Sequence, residues 1–160
     1  MAKETRSLRV RKMTLDDVVC CAAIIGDTEL FREYGYTAEK AQGQLTATLV
    51  EGADDLVVAL DGNSVLGFAW VVPRGGFARS PYLRLIGVDP QLTRGGVGRA
   101  LMLDLERRCL GKTGFVLLVT ATNQVGRKFY ESLGYRCIGE VPGYILPGVG
   151  EAIYFKPGSV

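Results

Sequence analysis

The chain has 160 residues, enough for one domain with a substantial core and too few for two ordinary ones, so residues 1–160 are read as a single domain. Its net charge is +2, with lysines and arginines scattered among the acids; no basic stripe follows a phosphate backbone, and nucleic acid is not an expected partner. The absence of histidine removes serine–histidine and cysteine–histidine catalysis and most histidine-containing zinc sites, leaving Asp, Glu, Tyr, Lys and Cys as acids and bases.

No apolar run approaches the roughly 20 residues of a membrane helix, and residues 1–11 carry charges where a signal peptide is apolar. A cytoplasmic protein with no membrane partner is expected. Cys20, Cys21, Cys109 and Cys137 form no C-x-x-C pair, so buried reduced thiols are expected rather than metal ligands or bridges.

Residues 8–13 mix Leu8, Val10 and Met13 with Arg9, Arg11 and Lys12, as in a strand with one wet face. Thr14-Leu15-Asp16-Asp17 matches a helix-start pattern, and a helix with the apolar face Leu15, Val18, Val19, Ala22 and Ile25 is expected up to Gly26. Residues 27–36 set Asp27, Glu29 and Glu33 among Phe31, Tyr34 and Tyr36. Such a loop or short helix either receives a cationic amine or packs its aromatics on the core and leaves its acids in water. Thr37 can cap the next helix, with the stripe Ala41, Leu45 and Leu49.

Apolar runs at 56–60 and 65–72 are joined through Asp61-Gly62-Asn63-Ser64, a strong hairpin signal. Residues 73–81, with Gly75 and Gly76, are expected as a flexible connection in the form of an exposed hairpin loop. The strand 82–88 then stops at Asp89-Pro90, and Val97, Leu101, Leu105 and Cys109 recur every four residues along a helix ending near Gly111. Between strand and helix, Gly95, Gly96 and Gly98 leave bare the N–H groups that have no intrahelical partner, an anion site at the positive end of the helix dipole. The spacing is neither a G-x-G-x-x-G fingerprint nor a phosphate loop, and taken alone it is equally a connection without a ligand.

Residues 115–120 form a buried strand, and Asn123 opens a helix with the stripe Val125, Phe129 and Leu133 and a stop at Gly134. Strands at 135–141 and 152–156 close the chain around a Pro/Gly-rich loop holding Tyr144. The order predicts an α/β or α+β domain with a mixed sheet.

Three features taken together resemble the GNAT superfamily of acyl-CoA N-acyltransferases: the strand ending Val88-Asp89-Pro90, the turn and helix over 94–101, and Asn123-Gln-Val-Gly-Arg-Lys-Phe-Tyr-Glu-Ser-Leu-Gly-Tyr135 one strand later. Thr93 stands where that family usually has Arg or Gln, and Gly126 where it usually has alanine. The resemblance implies a mostly antiparallel sheet of about six to seven strands with about four helices. It implies acetyl-CoA as cosubstrate and acetyl transfer to a primary amine, with no metal. Implied cofactor contacts are the backbone of Ile86 and Val88 for the acyl-pantetheine arm and of Arg94, Gly95, Gly96, Val97, Gly98 and Arg99 for the pyrophosphate. Asn123 would touch the pantetheine arm and cap its helix.

For Arg127 and Lys128 the resemblance allows the nucleotide phosphates, beside a solvated helix face with an Arg127–Glu131 pair. Tyr130 takes the place of the acid that protonates the departing CoA thiolate. The strand before the turn has no carboxylate, so the base is Glu29 or Glu33, directly or through water, unless the amine arrives neutral. Homodimers are common in the family, although the sequence displays no interface. Rival readings are a non-catalytic acyl-CoA-binding module and, more weakly, a Rossmann-type dehydrogenase.

Overall fold

The computed structural model describes residues 6–92 and 94–159. The chain begins with β1 (Leu8–Lys12), α1 (Val18–Asp27), α2 (Glu29–Glu33), α3 (Ala38–Glu51), β2 (Asp55–Asp61), β3 (Ser64–Gly76) and β4 (Ser80–Val88). It continues with α4 (Val97–Cys109), β5 (Phe115–Thr120), α5 (Gln124–Ser132), β6 (Arg136–Val141) and β7 (Glu151–Lys156). The strands hydrogen-bond in the order β1-β2-β3-β4-β5-β7-β6. Pairing is antiparallel at β1/β2, β5/β7 and β6/β7, and parallel at β4/β5 through Tyr82↔Val116 and Leu83↔Leu117. A mostly antiparallel mixed sheet was expected and is found. Among the described residues there are five helices where about four were expected, the segment of acids and aromatics taking the short-helix form α2.

The described residues gather into two compact units, 6–70 with 85–105 and 71–84 with 106–159, whose boundaries fall inside β3, β4 and α4. In the first unit α1 packs on α3, and Met13, Val18, Cys21, Ile25, Leu45, Val58, Phe68 and Trp70 belong to one core. Thr37 caps α3 as expected, its hydroxyl accepting from Lys40 N at 3.2 Å. The helix expected from residue 15 instead opens with a 3-10 turn over Leu15–Asp17. That tighter turn shifts the phase of α1, so the buried stripe is Val18, Cys21, Ala22 and Ile25, while Leu15 and Val19 are 58% and 62% exposed.

Asp17 fixes that start. It accepts from Thr14 N at 2.8 Å and pairs with the Arg11 guanidinium at 2.7 Å; the guanidinium holds its carboxyl below the ordinary range despite burial. A depressed folded pKa adds stability that is present above the unfolded value of about 3.9 and lost as pH falls through the folded value. Arg11 is partly exposed and its charge is screened, so Asp17→Asn should cost only about 1 kcal/mol at pH 7, with the gap to wild type closing near pH 2. Urea denaturation at the two pH values checks this.

In the second unit the hairpin expected at 73–81 is found, closed by a tight turn between β3 and β4 rather than by a flexible loop. Phe77 and Ala78 take φ values of 54° and 57°, and Arg79 N donates to Gly76 O at 3.0 Å. This is the left-handed geometry that hairpins normally assign to Asn-Gly, so Phe-Ala carries no signal for it. Two contacts hold the strained residues. Arg74 donates from Nε and Nη2 to Ala78 O at 3.1 and 2.8 Å, and Gly76 is tight enough that a Cβ would stand 2.8 Å from Val116 Cγ2.

α5 also differs from expectation. Val125 is 75% exposed, Phe129 is half-buried, and the inward face is Tyr130 and Leu133, leading to Tyr135. Helical spacing alone allowed either phase; the aromatic cluster of Phe115, Tyr130 and Tyr135 selects this one.

The cysteines are free, but Cys20 and Cys137 are exposed, contrary to the expected burial. Cys21 is buried, and burial pushes its thiol up to about 12. Among the described residues no cluster of His, Cys, Asp and Glu could hold a metal, and no helix is long and apolar enough to cross a membrane.

Candidate functional site

In the first unit, β4 stops where Asp89 N donates to Leu66 O at 2.9 Å. Asp89 Oδ1 accepts from Gln91 N at 3.0 Å, leading into a 3-10 turn over Pro90–Leu92. Arg94 and Gly96 then adopt φ values of 66° and 80°, and α4 opens with the bond from Ala100 N to Gly96 O at 3.0 Å. The N–H groups of Val97, Gly98 and Arg99 precede that bond, which is the geometry an anion needs at the positive end of a helix.

Two glycines outside the turn seat the start of this helix. A Cβ on Gly67 would stand 2.8 Å from Gly87 O and 2.9 Å from Val97 Cγ1, and one on Gly87 would stand 2.6 Å from Phe68 Cε1. Val97 is therefore locked into the core while Arg94, Gly95, Gly96 and Arg99 remain exposed and Gly98 half-buried. Around Gly96 a Cβ would meet nothing within 4 Å, so the surface there is open. Ile86 and Val88 are half-buried on either side of Gly87. Thr93, the position of the missing Arg or Gln, lies outside the described residues.

Glu29 and Glu33 are exposed on α2. Phe31 and Tyr36 pack on the core, edge to face at 6.1 Å, which is the structural alternative for that segment.

In the second unit, Asn123 caps α5, its Oδ1 accepting from Gly126 N at 3.0 Å. A Cβ at 126 would stand 2.7 Å from Asn123 Nδ2, so glycine lets the cap fold closely over the helix. Lys128 is exposed. Arg127 is partly exposed and reaches Glu131 through Tyr154 rather than directly. Its Nε donates to Tyr154 Oη at 3.0 Å, Nη1 donates to Ala121 O at 2.9 Å, and the Tyr154 hydroxyl donates onward to Glu131 Oε1 at 2.8 Å. Tyr154 was missed by sequence reasoning because it stands on β7, where its apolar neighbours resemble any core strand.

These bonds tie α5 to β7, and they predict a structural role. Arg127→Ala should lower the melting temperature while leaving CoA affinity unchanged, as calorimetry with and without CoA would register.

Tyr130 was expected at the edge of the core. It is 7% exposed, with ring centroids 5.0 Å from Phe129 and 5.8 Å from Tyr135, and burial raises its phenol well above the ordinary value. The group is thus protonated at neutral pH. Beside it, Lys156 Nζ bridges Glu106 Oε2 at 2.9 Å and Leu133 O at 2.7 Å, while Glu106 Oε1 and the Tyr135 hydroxyl have no hydrogen-bond partner among the described residues.

Residues 23–135 match the model of the acetyltransferase (GNAT) family. The chain is 33% identical over 113 residues to a mycothiol acetyltransferase of Propionibacterium freudenreichii subsp. shermanii, covering 68% of this chain. It spans 36%, about a third, of that relative's length. Solved structures of the same fold include a GNAT-family acetyltransferase from Bacillus cereus, with a TM-score of 0.76 and 20% identity over 96% of this chain and 99% of that one. Another is yncA from Salmonella typhimurium, solved with its cofactor acetyl-CoA, with a TM-score of 0.71 and 18% identity over 94% of each chain. The match runs from α1 through the glycine turn to the end of the Asn123 helix, and on it this chain belongs to the acetyltransferase (GNAT) family.

Proposed function

We propose that this chain is a cytoplasmic, single-domain N-acetyltransferase that moves an acetyl group from acetyl-CoA to a primary amine by direct attack. The observation that carries the reading is the open glycine turn at the start of α4, in a chain of this family. Its N–H groups and open surface suit a pyrophosphate, and backbone at Ile86 and Val88 is assigned to the acyl-pantetheine arm.

In the reaction the amine nitrogen attacks the thioester carbon, the C–N bond forms, the C–S bond breaks, and the sulfur leaves as a thiolate. Tyr130 is assigned as the proton donor to that sulfur. The proton lost by the amine goes to Glu29 or Glu33, directly or through water, or is already gone when the amine arrives. Asn123 is assigned to the pantetheine arm and Lys128 to the nucleotide phosphates. The acceptor is proposed only as a primary amine, a class that the name of the mycothiol acetyltransferase relative does not narrow for this chain.

A second reading, a non-catalytic acyl-CoA-binding module, is favoured by one observation: β4 carries no carboxylate. Thiol release from acetyl-CoA with a panel of amines separates the two. Amine-dependent release supports the transferase, and CoA-induced thermal stabilisation without release supports the module. Stabilisation by NAD and not by CoA would overturn both.

A further inference from the structure

We infer that Arg6, from the segment ahead of β1, supplies the side-chain cation for the cofactor's pyrophosphate. The inference rests on the reading of the glycine turn as the CoA site. Arg6 is exposed, and its Nη1 lies 2.9 Å from where a Cβ on Gly95 would stand. Leu92 O lies 3.0 Å from the same point. A residue with a side chain at 95 would have to displace the guanidinium, so glycine there lets Arg6 lie directly on the backbone of the turn. One residue later, at Gly96, the corresponding position is open for 4 Å around. The guanidinium thus borders the open surface next to the N–H groups that precede the first bond of α4.

The helix terminus alone does not balance the charge of such a ligand. A helix terminus offers roughly half a positive charge, whereas a pyrophosphate diester carries two negative ones, and a guanidinium can donate to two phosphate oxygens at once. Among the described residues Arg6 has no ion-pair partner, so no described acid neutralises its charge. Position 93 is threonine, which has no charge to contribute.

The test is a set of dissociation constants, by calorimetry, for CoA and for dephospho-CoA, which keeps the pyrophosphate and lacks the 3′-phosphate. Arg6→Ala should weaken both by a similar factor of about 10, and Arg6→Lys should recover part of the loss. Unchanged affinity for both overturns the inference. So does a loss confined to CoA, which would place Arg6 on the 3′-phosphate. Gly96→Glu serves as the reference. If it leaves CoA affinity intact, the turn itself is not the site; if it removes binding while Arg6→Ala does nothing, only the role of Arg6 falls. Arg6 lies outside the core, and melting temperatures without ligand should be equal for all three Arg6 proteins.

Discussion

Gly96→Glu is expected to raise the dissociation constant for CoA by about 100-fold or more, the largest binding effect of any single change in the turn. Two terms contribute. Gly96 holds φ at 80°, where an L-residue costs about 1–2 kcal/mol, and the new carboxylate would face a pyrophosphate of the same sign. Gly96→Ala separates them, because it carries the backbone strain without the charge and should weaken binding by less than about 10-fold. No atom stands within 4 Å of the added Cβ, so neither variant disturbs the core and both should fold. Calorimetric titration with CoA reads the result; equal affinity for wild type and Gly96→Glu would refute the clamp.

Tyr130→Phe is expected to lower kcat by about 10- to 100-fold and to change CoA affinity by less than about twofold. The size follows from acidity. A thiolate has a reference pKa of about 8.5, and burial holds the phenol well above its own ordinary value of about 10, so complete proton transfer to sulfur is uphill. In the proposed role the phenol would act mainly by donating a hydrogen bond to sulfur as negative charge develops there, with the sulfur gaining its proton fully on later exchange. Phenylalanine keeps the edge-to-face contacts with Phe129 and Tyr135, so the loss isolates the hydroxyl.

The pH dependence of that variant has a definite sign. A raised phenol pKa leaves the donor protonated from pH 6 to 9, so any rise of rate across that range belongs to deprotonation of the amine or its base. Tyr130→Phe should lower the whole profile without moving its acidic limb. Full activity at every pH would remove Tyr130 from the acid role.

The division between legible and hidden features follows from how far each feature reaches along the chain. Local rules foresaw the Thr14–Asp17 helix start, the Thr37 and Asn123 caps, the Gly62 hairpin with φ at 58°, the strand over 115–120 and the stop at Gly134 with φ at 92°. Each is settled within a few residues, where side-chain oxygens and glycine backbone freedom act directly. The glycine turn was legible for the same reason, as was its dipole.

Tertiary structure decided what periodicity left degenerate or what distant residues supply. The face that α5 buries depends on the aromatic cluster it meets, and the strained Phe77–Ala78 hairpin depends on Arg74 and on the close approach of Val116 to Gly76. Arg127 is engaged by Tyr154, a partner from a different strand that helical spacing could not name. Arg6 reaches Gly95 from the far end of the sequence, a contact that no spacing can announce. Sequence alone determined that a glycine-rich turn and a helix start come after β4. Only the fold brought Arg6 to it, because charge acts through space whereas motifs are written along the chain.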